Sequence, residues 1–242
     1  MRSNFDPAKT GVSFVREAGS LALQSLMFGF GFVPSQHTPV RSGSLHTVVF
    51  VHGLAANRAS LYPLQAYLGW QGYRRQFNVS YLTTGSIEAC ALQLKKRIDT
   101  EVKGGRIDLV CHSMGGLVAR FYLQQLDGAR RVSRVVTLAT PHLGTHATAW
   151  MPLPLVQQMA PKSPFLHHLN SLPEPTDVAF TSIGAGADVL VLPPDHARAP
   201  FGAYAQFDQL GHTGLMLSPN VLRAVHEALG PCEESFVSDA AM

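Results

Sequence analysis

The chain has 242 residues, of which 46% are hydrophobic and 14% charged, with a formal net charge of +3. That length makes one large domain or two small ones with a sizeable core, and the composition excludes both a disordered chain and a coiled coil. The basic groups are short and scattered (Arg74-Arg75, Lys95-Lys96-Arg97, Arg130-Arg131), so they read as solvated helix ends and turns rather than as a nucleic-acid footprint.

Residues 1–44 read as an N-terminal helical extension. Within it, residues 21–33 (LALQSLMFGFGFV) are apolar but interrupted by Gln24 and Ser25, and fall short of the ~20 residues that span a bilayer. Asp6 and Glu17 precede this run and no small-residue cleavage pattern follows it, so it does not read as a cleavable signal. A packing helix is expected there, with peripheral contact at a membrane or lipid interface as the alternative. A cytoplasmic or membrane-associated location is expected over secretion.

Strand-like and helix-like segments then alternate. Residues 45–51 (LHTVVFV) form an apolar, β-branched run of the kind found in buried parallel strands. A helix is expected over 60–72 and a second strand over 77–82. The next helix, 86–102, turns Ile87, Leu92, Leu94 and Ile98 inward and Lys95, Lys96 and Asp99 outward, and Gly104-Gly105 stop it. Strand 106–111, helix 114–126 and strand 134–139 follow. Residues 141–176 break the alternation with seven prolines, yet carry many large apolar side chains. Such an insert is too apolar for disorder and reads as short helices packed as a cap. Strands over 177–183 and 203–207 and a helix over 218–229 complete a domain spanning 45–230. Residues 231–242 read as a flexible tail. Alternation of this kind predicts an α/β fold with a mostly parallel sheet covered on both faces, whose sites gather at the carboxyl ends of the strands.

The cysteines are three, Cys90, Cys111 and Cys232, so they cannot all pair, and neither they nor the eleven histidines show metal-ligand spacing. A zinc site is therefore not expected.

The chemistry-bearing motif is Cys111-His112-Ser113-Met114-Gly115-Gly116, set between a strand and a helix. A sharp turn at that place exposes one serine, and small residues two before and two after it let the backbone make the turn. Ser113 is therefore the expected nucleophile. Cys111, at a strand end, is expected to be buried and inert. A serine hydroxyl needs a base, and the base an orienting acid. In chain order after Ser113, Asp188 follows a strand in a glycine-punctuated loop, with Asp195 as runner-up. His212 lies between glycines in LGHTG, while His142 precedes every acid candidate in or after the insert. Asp188 and His212 are preferred. His112 is expected to pack the turn. Donors for a developing oxyanion are expected from the backbone N–H of Met114 and of Leu54, which follows His52-Gly53. Trp150, Met151, Leu153, Leu155, Val156 and Phe165 are expected to line or cover an acyl pocket.

VVFVHGL (48–54), CHSMGGLVAR (111–120), LATPHLGT (138–145), TSIGAGADVLV (181–191) and GHTGLM (211–216) together resemble bacterial lipases and esterases of the α/β-hydrolase superfamily, most of all the small Bacillus-type lipases. Those lipases also replace the first glycine of the turn with a small residue. The resemblance implies an α/β-hydrolase fold, Ser113, Asp188 and His212 as triad, and Leu54 and Met114 as oxyanion hole. It further implies hydrolysis of carboxylic esters through an acyl-enzyme, on small-molecule or lipid esters, with polyesters as a further substrate class, without metal or organic cofactor. A thioesterase or acyltransferase with the same triad is the nearest alternative, and a non-catalytic lipid-binding protein on the same fold the next.

Overall fold

A computed structural model describes residues 46–56 and 58–230. The expectations for 1–44, including 21–33, and for 231–242 lie outside these residues. The described part contains a six-stranded sheet in the order β2-β1-β3-β4-β5-β6, parallel at every pairing. The strands are β1 (His46–Val51), β2 (Gln76–Val79), β3 (Arg106–His112), β4 (Val132–Leu138), β5 (Ala179–Ala185) and β6 (Ala203–Phe207). The helices are α1 (Tyr62–Trp70), α2 (Ile87–Glu101), α3 (Met114–Gln125), α4 (Pro154–Gln157), α5 (Pro164–Ser171) and α6 (Pro219–Leu229).

The period of two along β1 divides its side chains between two cores. Val48 and Phe50 pack with Leu64 and Leu68 of α1 and with Val221, Val225 and Leu229 of α6. Val49 and Val51 pack on the other face with α2, α3 and apolar residues of the insert. Helices on both faces explain why β1 and β3 are buried almost end to end rather than at alternate residues. Ser86 begins α2 by accepting a hydrogen bond from the N–H of Ala89 at 3.2 Å, satisfying a donor that the helix cannot.

Leu92 is a correction. It stands 56% exposed, while Ile87, Cys90, Ala91, Leu94 and Ile98 are buried. The buried set repeats at three and four residues, and Leu92 lies two residues from Leu94, on the opposite side of the helix. Strand limits shift as well: β4 begins two residues earlier than expected, and β5 runs on to Ala185. Pairing decides these limits, since β5 continues as long as β6 offers partners, up to Ala185 opposite Phe207.

The insert folds as a 3-10 turn (His146–Trp150), α4 and α5, and polar side chains stitch it down. Thr145 Oγ1 donates to the Leu190 carbonyl at 2.8 Å and accepts from the Leu192 N–H at 2.9 Å. Gln158 accepts from the Ile87 N–H and donates to Glu88, both at 2.7 Å. The guanidinium of Arg120 on α3 donates to Asn170 Oδ1 at 2.8 Å and the Leu169 carbonyl at 3.2 Å. The insert is thereby tied to α2, α3 and the loop after β5. Among the described residues, no helix is long and apolar enough to cross a membrane.

Candidate active site

Ser113 joins β3 to α3 with φ 55° and ψ −131°. Positive φ in a residue with a side chain costs of order 1–3 kcal/mol, so its surroundings must enforce it. Ser113 N–H donates to the Leu138 carbonyl at 2.8 Å, and the Ser113 carbonyl accepts from Gly116 N–H at 3.0 Å and Thr140 Oγ1 at 2.8 Å. Two glycines admit the turn. A Cβ on Gly53 would lie 2.8 Å from Ser113 Cβ, and one on Gly115 would lie 2.6 Å from the carbonyl oxygens of Val51 and His52. The second contact is against backbone, so α3 can start this close to β1 only without a side chain there.

Asp188 follows β5 and is itself buried. Its Oδ1 accepts from the N–H of Leu190 at 2.8 Å and of Val191 at 2.9 Å. His212 Nδ1 lies 2.9 Å from Oδ2 and 3.1 Å from Oδ1 of this carboxylate. A carboxylate accepts only, so Nδ1 carries the proton, and in the neutral ring Nε2 keeps the lone pair. Burial pushes the Asp188 carboxyl up, but the His212 charge and hydrogen bond and the two backbone N–H groups outweigh it and hold the group below its ordinary value.

Ser113 and His212 line one cavity of about 480 Å³. His112 and Leu54 also line it, and the insert contributes Ala147, Thr148, Met151, Val156 and Met159. Leu190 and Val191, from the loop that carries Asp188, close another side. Among the expected acyl-pocket residues, Met151 and Val156 line the cavity. Trp150 and Leu153 are 70% and 58% exposed, and Leu155 and Phe165 belong to the buried core. Those four are not among the lining residues. Met114, at the first position of α3, is fully buried.

The rivals are placed elsewhere. Cys111 is fully buried in the core beside α2 and α3, and burial raises its thiol far above the ordinary range. Asp195 is exposed. His142 is fully buried, with Nε2 at 2.9 Å from Thr137 Oγ1, and burial followed by the Arg120 charge drives it well below its ordinary value. His52 stacks on Tyr81 at 4.4 Å, while the Tyr81 hydroxyl donates to the His52 carbonyl at 2.5 Å. Met159, Leu190 and Val191 were missed by sequence reasoning, although Leu190 and Val191 stand within the GADVLV segment that announced Asp188. Thr145, whose hydroxyl spans insert and acid loop, gave its signal only as part of LATPHLGT. Among the described residues no cluster of His, Cys, Asp and Glu is placed to hold a metal ion.

The fold has parallels among solved structures. A Bacillus licheniformis lipase in its mature form aligns with a TM-score of 0.62 at 16% identity, over 81% of this chain and 95% of its own. An Aspergillus fumigatus lipase B gives 0.68 at 15% identity, over 83% of this chain and 56% of its own. A Pyrococcus furiosus esterase gives 0.54 at 20% identity, over 77% of this chain and 82% of its own. Such identities carry the fold, which is that of α/β-hydrolase lipases and esterases, and do not single out the Bacillus-type lipases. A family model described as "Putative serine esterase (DUF676)" matches residues 41–163, just over half of the chain, including the Ser113 turn but ending before Asp188 and His212. The chain therefore belongs to the DUF676 family.

Proposed function

We propose that the protein hydrolyses carboxylic esters with an apolar acyl group, through an acyl-enzyme on Ser113. Ser113 Oγ attacks the ester carbonyl carbon as His212 Nε2 takes the hydroxyl proton. Asp188 fixes the Nδ1–H tautomer and stabilises the imidazolium. The backbone N–H groups of Leu54 and Met114 receive the developing oxyanion; Met114 opens a helix, where the first N–H groups have no partner within the helix. Collapse of the tetrahedral intermediate expels the alcohol, which takes the proton from His212. Water then repeats the attack and releases the acid.

One observation carries this reading: a serine on a strained strand-to-helix turn and a histidine bonded to a buried carboxylate line a single cavity. Residues 141–176 serve as the cap of that cavity. The apolar acyl group is supported by its walls, Val156, Met159, Leu190 and Val191. A lipid ester, presented at an interface, is supported by the exposed apolar side chains of Trp150, Met151, Leu153, Val189 and Leu190, of which Met151 and Leu190 line the cavity, since exposed apolar surface marks places that meet other apolar matter. No Asp, Glu, Lys or Arg occurs from Val135 to Pro161, so the insert's exposed apolar residues bring no adjacent formal charge to be desolvated.

Ser113→Ala tests the proposal on a soluble nitrophenyl ester. Turnover is expected to fall by about 10³-fold or more with an unchanged circular dichroism spectrum. Retained turnover would overturn it.

A further inference from the structure

We infer that His112 is a positioning residue that holds the imidazole of His212 in place for ester hydrolysis. The inference rests on the reading of Ser113 and His212 given above, and goes beyond it.

His112 ends β3, directly before Ser113, and is paired in register with Leu138. Its own position is thus set by the centre of the sheet. Its Nε2 lies 3.3 Å from the backbone carbonyl of His212, and the two rings stand 4.8 Å apart at a tilt of 58°. His212 sits in a loop between Gly211 and Gly214. Asp188 holds the Nδ1 corner of its ring, and His112 adds a contact on the backbone and a packing surface along the ring.

The protonation state follows from the same geometry. A carbonyl accepts only, so His112 Nε2 carries the hydrogen, and in a neutral ring Nδ1 is bare. That Nδ1 is buried with no hydrogen-bond partner. A buried polar atom left unpaired is costly, and here it accompanies the one tautomer that can donate to His212. Charge is the second requirement. The titratable groups facing His112 are His212, Asp188 and His52. Burial first, and the His212 charge second, push His112 down to about 3. It therefore stays neutral beside a ring that must itself become a cation during turnover, and costs that cation nothing in repulsion.

A residue that only fills space would behave differently from one that donates and positions. His112→Gln keeps a donor at nearly the same reach, His112→Leu keeps volume without a donor, and His112→Asn carries a donor that stops short. On a soluble nitrophenyl ester, His112→Leu and His112→Asn are expected to lower kcat about 10- to 100-fold, the scale of a small misplacement in an active site. KM should change far less than kcat, since His112 is one of many residues lining the cavity and the loss falls on the placement of His212. The rate of labelling by a fluorophosphonate should fall in step with kcat, and His112→Gln should recover most of both. Wild-type kcat in His112→Leu, or equal impairment of the Gln, Leu and Asn variants, would overturn the proposal. If His112→Leu does not fold, the Gln and Asn pair decides alone. Ser113→Ala keeps the two readings apart. Turnover retained there removes the serine mechanism itself, whereas an inactive Ser113→Ala beside a fully active His112→Leu removes only the role of His112.

Discussion

The carboxyl edge of the sheet and the insert above it are built on opposite terms. At the sheet edge Ser113 is fixed by backbone bonds to Leu138 and Gly116 and by the Thr140 hydroxyl, and Asp188 by the N–H groups of Leu190 and Val191. Asp188 and His212 there are polar and buried. In the insert Trp150 and Leu153 are apolar and exposed, and the segment is held down by side-chain bonds from Thr145 and Gln158 and by the backbone N–H groups of Leu143 and His146. In the proposed mechanism the difference is a division of labour: the sheet edge would supply geometry, which tolerates no slack, and the insert apolar area, which is non-directional and needs little precision.

If that division is right, damage at the two regions should differ in size and in kind. The largest effect belongs to the sheet edge. Asp188→Asn would turn an acceptor-only group into one that can donate, and so favour the wrong tautomer of His212; kcat is expected to fall about 10³- to 10⁴-fold. A loss below tenfold would break the comparison.

A middle-sized effect should appear in stability against pH. His112 is held neutral, with its folded value lowered to about 3 against about 6.5 unfolded. The unfolded chain then binds the extra proton, so stability is complete above pH 6.5 and is lost as pH falls through that window toward 3. His142 and His52 are lowered by burial too and add in the same direction. Asp188, also lowered, adds a further loss below about pH 4. Urea unfolding at pH 5 should give a stability about 2 kcal/mol or more below that at pH 7.5, and His112→Gln should flatten the slope. A wild-type stability that does not change between these values would contradict the buried, neutral state.

The smallest effect belongs to the insert. Trp150→Ser combined with Leu153→Ser should leave a soluble short-chain ester turned over at close to the wild-type rate. The rate on an emulsified long-chain ester should fall roughly three- to tenfold, because the interface would bury less apolar surface, worth ~1 kcal/mol. Equal losses on both substrates would mean that the insert, too, supplies geometry.

The same contrast explains what could be read without a structure. The turn at Ser113 was legible because few residues can make it, and Gly53, Gly115 and a small residue at 111 leave a local mark. Asp188 and His212 were legible as candidates because each follows a strand in a glycine-punctuated loop, and the sheet order then brings those loops to one edge. The insert was legible only in outline. Its apolar residues have no long period, so nothing local separates Leu155 and Phe165, which enter the core, from Trp150 and Leu153, which face outward. Leu92 failed for a different reason, having been placed by hydrophobicity against the helical repeat. The contact between His112 and His212 was not readable at all, since a hundred residues separate them.

The most direct test is to treat the intact protein with a fluorophosphonate and locate the adduct by peptide mass mapping. A single adduct on Ser113, with labelling slowed at least about 10³-fold in His212→Ala, is the predicted result. Failure to label Ser113, or labelling at the same rate without His212, would contradict the assignment of Ser113 and His212 as a reacting pair.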